Sequence, residues 1–128
     1  MPATVHHERD NVYRLDVNGV LSKDDLDRVQ KQLLHDLDLA GTRTARLLVV
    51  LVGFEGWDSG SNWSDLTFYV TYGDRLERIA IVGNERWRDL AMMFAAADLR
   101  KGPVEFFASE AMRDARAWLS EFSHPTQS

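Results

Sequence analysis

The sequence predicts an α/β fold in one domain spanning residues 1–128, with a mainly parallel central sheet covered by about four helices. Three observations carry that expectation. The run Leu47-Leu48-Val49-Val50-Leu51-Val52 is short, rich in β-branched residues and ended by Gly53, as expected of a strand buried on both faces in a parallel sheet. From Val12 onward, strand and helix periodicities alternate, and right-handed crossovers between such strands make them parallel. No repeat, low-complexity tract or Pro/Gly/Ser-rich linker divides the 128 residues, whose 45% hydrophobic content suits a single core.

Each element has a local reason. Val12-Tyr13-Arg14-Leu15-Asp16-Val17 alternates apolar and polar side chains, the period of a half-covered strand, and Asn18-Gly19 reads as its end. Val5 to Glu8 is placed to pair with it. Ser22 stands as a helix N-cap, with Asp24 and Asp25 in the first turn, and Leu26, Val29, Leu33 and Leu37 recur at helical spacing as far as Gly41. The strand over residues 46–52 follows, then a loop from Gly53 to Gly60 and a helix rich in aromatics. Arg78 to Gly83 reads as another strand. Asn84 caps a third helix in which Trp87, Leu90, Phe94 and Ala97 share a face. Pro103 opens a short strand through Phe107, and Ser109 caps a fourth helix through Met112, Ala115, Leu119 and Phe122.

Composition excludes several functions. Fifteen Lys and Arg against twenty Asp and Glu leave a net charge of −5, a field that repels phosphate backbones, so nucleic acid is not the expected partner. With no cysteine there is no disulfide, thiolate nucleophile or zinc–thiolate site. The amino end lacks the apolar core of a signal peptide and no apolar run reaches membrane-spanning length, so the expected location is the cytoplasm, with peripheral membrane attachment as an extension of it. Neither G-x-G-x-x-G nor G-x-x-x-x-G-K-[ST] occurs, and no cofactor is expected. The histidines, His6, His7, His35 and His124, assemble with no further ligands or nucleophile, so neither a metal site nor a catalytic set is assigned and the protein is not expected to be an enzyme. Arg75, Arg78, Arg86 and Arg88 are interleaved with Asp74, Glu77, Glu85 and Asp89, the pattern of a solvated ion-paired surface.

Three segments carry a resemblance. Leu48 to Asp58, with its F-E-G-W-D end, Glu77 to Trp87, with its V-G-x-x-R-W end, and Ala117-Trp118-Leu119 resemble the SpoIIAA-like family within the wider STAS group, over about Val12 to Phe122. The resemblance implies a compact domain of the anti-sigma-factor-antagonist type and no catalytic residue. It also implies binding of nonpolar ligands or membranes through a mobile helix. Antagonists of the STAS group carry a phosphorylation loop after the central strand, and Asp58-Ser59-Gly60-Ser61 falls there, which makes Ser59 or Ser61 a candidate phosphoswitch in a loop that docks a protein partner. The same residue types are also what a strand-to-helix turn and N-cap require.

The aromatic helix offers the sharper candidate site. At about 100° per residue, Trp63, Leu66, Tyr69 and Val70 share one face, while Phe68 and Tyr72 point to the other. That second stripe, with Phe54 and Trp57 before it, either packs beneath neighbouring elements or forms an exposed apolar patch. Met93 and Phe94 lie on a third helix that is apolar on nearly every side, a lining for a groove beside the aromatic helix or a face buried against neighbours or in a homodimer. The expected ligand site is therefore Phe54, Trp57, Trp63, Phe68, Tyr72, Met93 and Phe94, holding a nonpolar small molecule or membrane lipid.

Overall fold

The structure, a computed structural model, describes residues 3–41, 43–58, 75–94 and 103–121. Strands β1 (Ala3–Arg9) and β2 (Val12–Leu21) precede α1 (Lys23–Ala40), then come β3 (Ala45–Trp57) and β4 (Leu76–Gly83). A 3-10 turn, Glu85–Trp87, runs into α2 (Arg88–Phe94), then β5 (Val104–Ala108), and a second such turn, Ser109–Ala111, leads to α3 (Met112–Leu119). The sheet order is β1-β2-β3-β4-β5. β1 is antiparallel to β2 and the other three pairings are parallel, so the sheet is mixed, with an antiparallel edge on a parallel body. Three α-helices stand among the described residues where about four were expected. The aromatic helix, with Ser59, Ser61, Trp63, Phe68 and Tyr72, lies outside them.

α1 forms as its sequence dictates. The Ser22 hydroxyl accepts from the Asp25 N–H at 3.1 Å, and Gly41, at φ 68°, ends the helix by donating its N–H to the Leu37 and Asp38 carbonyls. Its apolar line of Val29, Leu33 and Leu37 is buried against Tyr13, Leu15, Val17 and Leu47 on one face of the sheet. On the other face Ala115 and Leu119 of α3 pack on Val12, Leu48, Val50, Ala80 and Val82. β3 lies between these two cores, and Leu48 is 0% exposed.

Ser109 does not cap the last helix: it opens the 3-10 turn, and α3 starts after Ala111 without a side-chain cap. The helix is held from its other end. Arg46, at the start of β3, donates to the Leu119 and Glu121 carbonyls, and Arg78 of β4 donates to the Trp118 carbonyl at 2.6 Å with its guanidinium 4.9 Å from the Trp118 ring. Cations at the carbonyl end of a helix satisfy orphan acceptors and favour the dipole.

Two strand ends differ from expectation. Asn18-Gly19 does not end β2, which continues to Leu21, and the expected loop after Gly53 remains strand as far as Trp57. Gly19 pairs with Phe54, Val20 with Gly56 and Leu21 with Trp57, so each extension supplies the other's hydrogen-bond partners. The apolar run is also not covered throughout, since Val52 is 60% exposed just past Val50, where the pairing with β4 ends.

The edge strand is tied to α3 by Arg116, whose Nη2 and Nε reach the two Glu8 oxygens at 2.8 and 3.4 Å. This hydrogen bond is the main cause that holds the Glu8 carboxyl below its ordinary 4.5. A carboxylate with a lowered folded pKa stabilises above its unfolded value, and that contribution disappears as pH falls through the folded one. Glu8→Gln should therefore be less stable than the wild type at pH 7, by no more than about 1 kcal/mol for so accessible a pair. In urea titrations stepped downward from pH 5, the difference should shrink to nothing; a difference that persists in acid contradicts this account.

Candidate functional site

On the face of the sheet that carries α1, the side chains do not fill the space they enclose. A cavity of about 110 Å³ lies between Leu26, Val29 and Leu33 of α1 and the sheet residues Leu15, Val17, Val49, Leu51, Ile79 and Ile81. Ala91 of α2 borders it with a single methyl group. Phe54 and Trp57 close the end nearest the extended tips of β2 and β3.

The extension of β3 puts those two aromatics there. In a regular strand alternate residues share a face, so positions 53, 55 and 57 would follow Leu51 inward. Position 53 is instead a glycine at φ 60°, and Gly56 sits at φ 123°, both conformations that disfavour a side chain. The pairing with β2 shifts register in the same stretch. Each irregularity inserts one residue, so the inward spacing becomes three, and Leu51, Phe54 and Trp57 all meet the cavity.

Among the described residues a third ring joins the corner. Phe54 and Trp57 meet edge to face at 4.8 Å, and Trp87 contacts both, at 5.0 and 5.8 Å between centroids. Such tilted pairs are favoured by the ring quadrupoles. Asn84 positions Trp87: its side-chain oxygen accepts from the Arg86 N–H at 3.0 Å and starts the 3-10 turn, not the third helix itself. A Cβ on Gly56 would make an ordinary 3.6 Å contact with the Trp87 ring, so it is the backbone φ of 123° and not the ring that calls for glycine there. Outside the corner, the Arg86 guanidinium covers Trp87 at 4.7 Å. Gly83 is tighter still, since a Cβ on it would lie 2.9 Å from the Leu51 Cβ.

The chemistry of this site is that of carbon. No charged side chain lines it among the described residues, and Gln30 of α1 brings the one side-chain amide to its border. No group of three or more His, Asp or Glu side chains suitable for a metal occurs among the described residues. No helix there is long and apolar enough to cross a membrane.

Of the residues expected at the site, the structure brings Phe54 and Trp57 together at the cavity. Met93 is 62% exposed and does not line this cavity. Leu90 is exposed as well, and Ala91 and Met92 are the α2 residues that pack inward, because Trp87 sits in the 3-10 turn and the helix proper starts only at Arg88. Phe94 ends α2, and its side chain lies outside the described set, as do Ser59, Ser61, Trp63, Phe68 and Tyr72. Asp58 follows β3 with its N–H donating to the Leu21 carbonyl at 2.8 Å, which ties that end of β3 to the end of β2. Sequence reasoning missed the α1 side of the cavity and Trp87. Leu26, Val29 and Leu33 read as ordinary core, and Trp87 carried a signal only through its motif.

A mixed five-stranded sheet with helices on both faces and an apolar cavity beneath one of them defines a small α/β domain. The chain belongs to the SpoIIAA-like family, whose model matches residues 12–120. A crystal structure of an uncharacterised protein of the DUF3478 family from Shewanella loihica PV-4, with a SpoIIAA-like fold, is similar to it at a TM-score of 0.67 and 24% identity, over 91% of each chain. That likeness establishes the fold. Among curated proteins, none matches the chain.

The close approach at Gly83 makes the corner sensitive to one methyl group. Gly83→Ala should displace Leu51 and cost about 1–3 kcal/mol, the usual range for overpacking. A lowered urea midpoint at unchanged slope is the expected result, and an unchanged midpoint would show that the strands are not so closely apposed.

Proposed function

We propose that this protein is a non-catalytic binding domain that takes a nonpolar small molecule, or a nonpolar segment of a lipid, between α1 and the sheet. The single observation that carries this reading is the cavity of about 110 Å³, whose lining among the described residues is uncharged and almost wholly apolar. Pockets for small ligands are concave, apolar and preformed, with few polar groups to orient the occupant. This one is preformed because its walls are stiff. Val17, Val49, Ile79 and Ile81 are β-branched and fixed on hydrogen-bonded strands, and the aromatic corner braces the far end. The driving force is removal of apolar surface from water, worth about 25 cal/mol per Å².

A substitution that fills the cavity tests the reading without removing a contact. Val49→Phe should weaken binding of toluene at least ten-fold, read from methyl chemical shifts of Val17 and Ile81, while the melting temperature holds or rises. Toluene that shifts no cavity methyl in the wild type, or that binds the variant equally well, would count against the site.

A further inference from the structure

From the size and lining of the cavity, and resting on its being the binding site, we infer that its ligand is a compact uncharged molecule of about one aromatic ring, bearing a single hydrogen-bonding group that Gln30 receives. Three observations converge. The first is volume. An engineered apolar cavity of about 150 Å³ holds a benzene molecule, and about 110 Å³ leaves room for one ring and little more. An extended acyl chain would place only a few of its carbons in that volume and leave the rest outside it.

Charge is the second. No Lys, Arg, His, Asp or Glu lines the cavity among the described residues, so a carboxylate or phosphate would be buried without a counterion, at high cost. Arg28, next to Val29 in sequence, is engaged elsewhere: its Nη2 donates to the Ala3 carbonyl at 2.8 Å and lies 3.8 Å from Asp25. The third is Gln30 itself. It borders the cavity from α1 between Val29 and Leu33, and its amide makes no hydrogen bond with any described residue. An amide both donates and accepts, so it suits a neutral hydroxyl or carbonyl in either sense. The class is that of phenols, small aromatic alcohols and cyclic ketones.

Three probes on the full chain test this: benzene, phenol and decanoate, titrated against the wild type and Gln30→Leu while the methyl shifts of Val17, Val49 and Ile81 are followed. Benzene and phenol should both bind the wild type, and decanoate should not. Gln30→Leu should lower the phenol-to-benzene affinity ratio roughly five-fold, the effect of one neutral hydrogen bond. Benzene binding to the variant shows that its cavity is intact. Decanoate binding as tightly as benzene, or a phenol-to-benzene ratio indifferent to Gln30→Leu, overturns the inference and leaves the nonpolar site standing. If none of the three moves a cavity methyl, the nonpolar site falls too.

Discussion

The domain depends on one strand being out of water on both faces. Successive residues of β3 supply two separate cores: Leu47 faces the layer under α1, and Leu48 and Val50 face the layer under α3. A backbone placed so deep keeps its hydrogen bonds only if it is paired on both sides, and β2 and β4 meet that condition along its length to Val50. The neighbours on each side then build outward from it, β1 on β2 and β5 on β4. Even the seating of α3 refers back to this strand, through the Arg46 guanidinium that reaches from its first residues to the Leu119 carbonyl.

Beyond Val50 that double support ends, and the character of the strand changes. β4 stops at Gly83, while β2 and β3 continue together to Leu21 and Trp57. A two-stranded ribbon is marginal by itself, so it must be stabilised by packing. The two glycine irregularities supply the means, because they rotate Phe54 and Trp57 onto the same side, where Trp87 meets them. The aromatic corner thus stabilises the ribbon and walls the cavity with the same contacts. The cavity is thus closed at the carboxyl ends of β2 and β3, while its lining reaches back along the sheet to Leu47 and Leu76.

How much was legible in the sequence follows from what periodicity encodes. α1 was legible in full, since Ser22, its acidic first turn, a 3.6-residue apolar line and Gly41 each report local physics that the structure repeats. The end of β3 was not. Glycine signals a left-handed or open backbone, and a bulge uses it as readily as a loop does, so Gly53 and Gly56 read as a turn until the continuation of β2 beside them is known. The segment at α2 was misread for a different reason: where nearly every residue is apolar, no pattern distinguishes the inward Ala91 from the outward Met93. Phe54 and Trp57, expected at a site because large aromatics beside glycines draw attention whatever the backbone does, both lie at the cavity. The cavity had no sequence signal, because a pattern shows which side chains face inward and not whether they fill the space between them.

That unfilled space is itself an energetic argument. At about 24 cal/mol per Å³, an empty cavity of this size costs roughly 2–3 kcal/mol. Set against a typical folding stability of about 5–15 kcal/mol, the loss is considerable for so small a domain. Collapse would recover it, yet each wall is held by something other than the cavity: the strands by their ladders, α1 by its caps and its contacts with β1 and β2, the corner by its three rings. A void that the surrounding structure cannot close remains available to a ligand, and an occupant that binds only the folded state adds its binding free energy to stability by mass action.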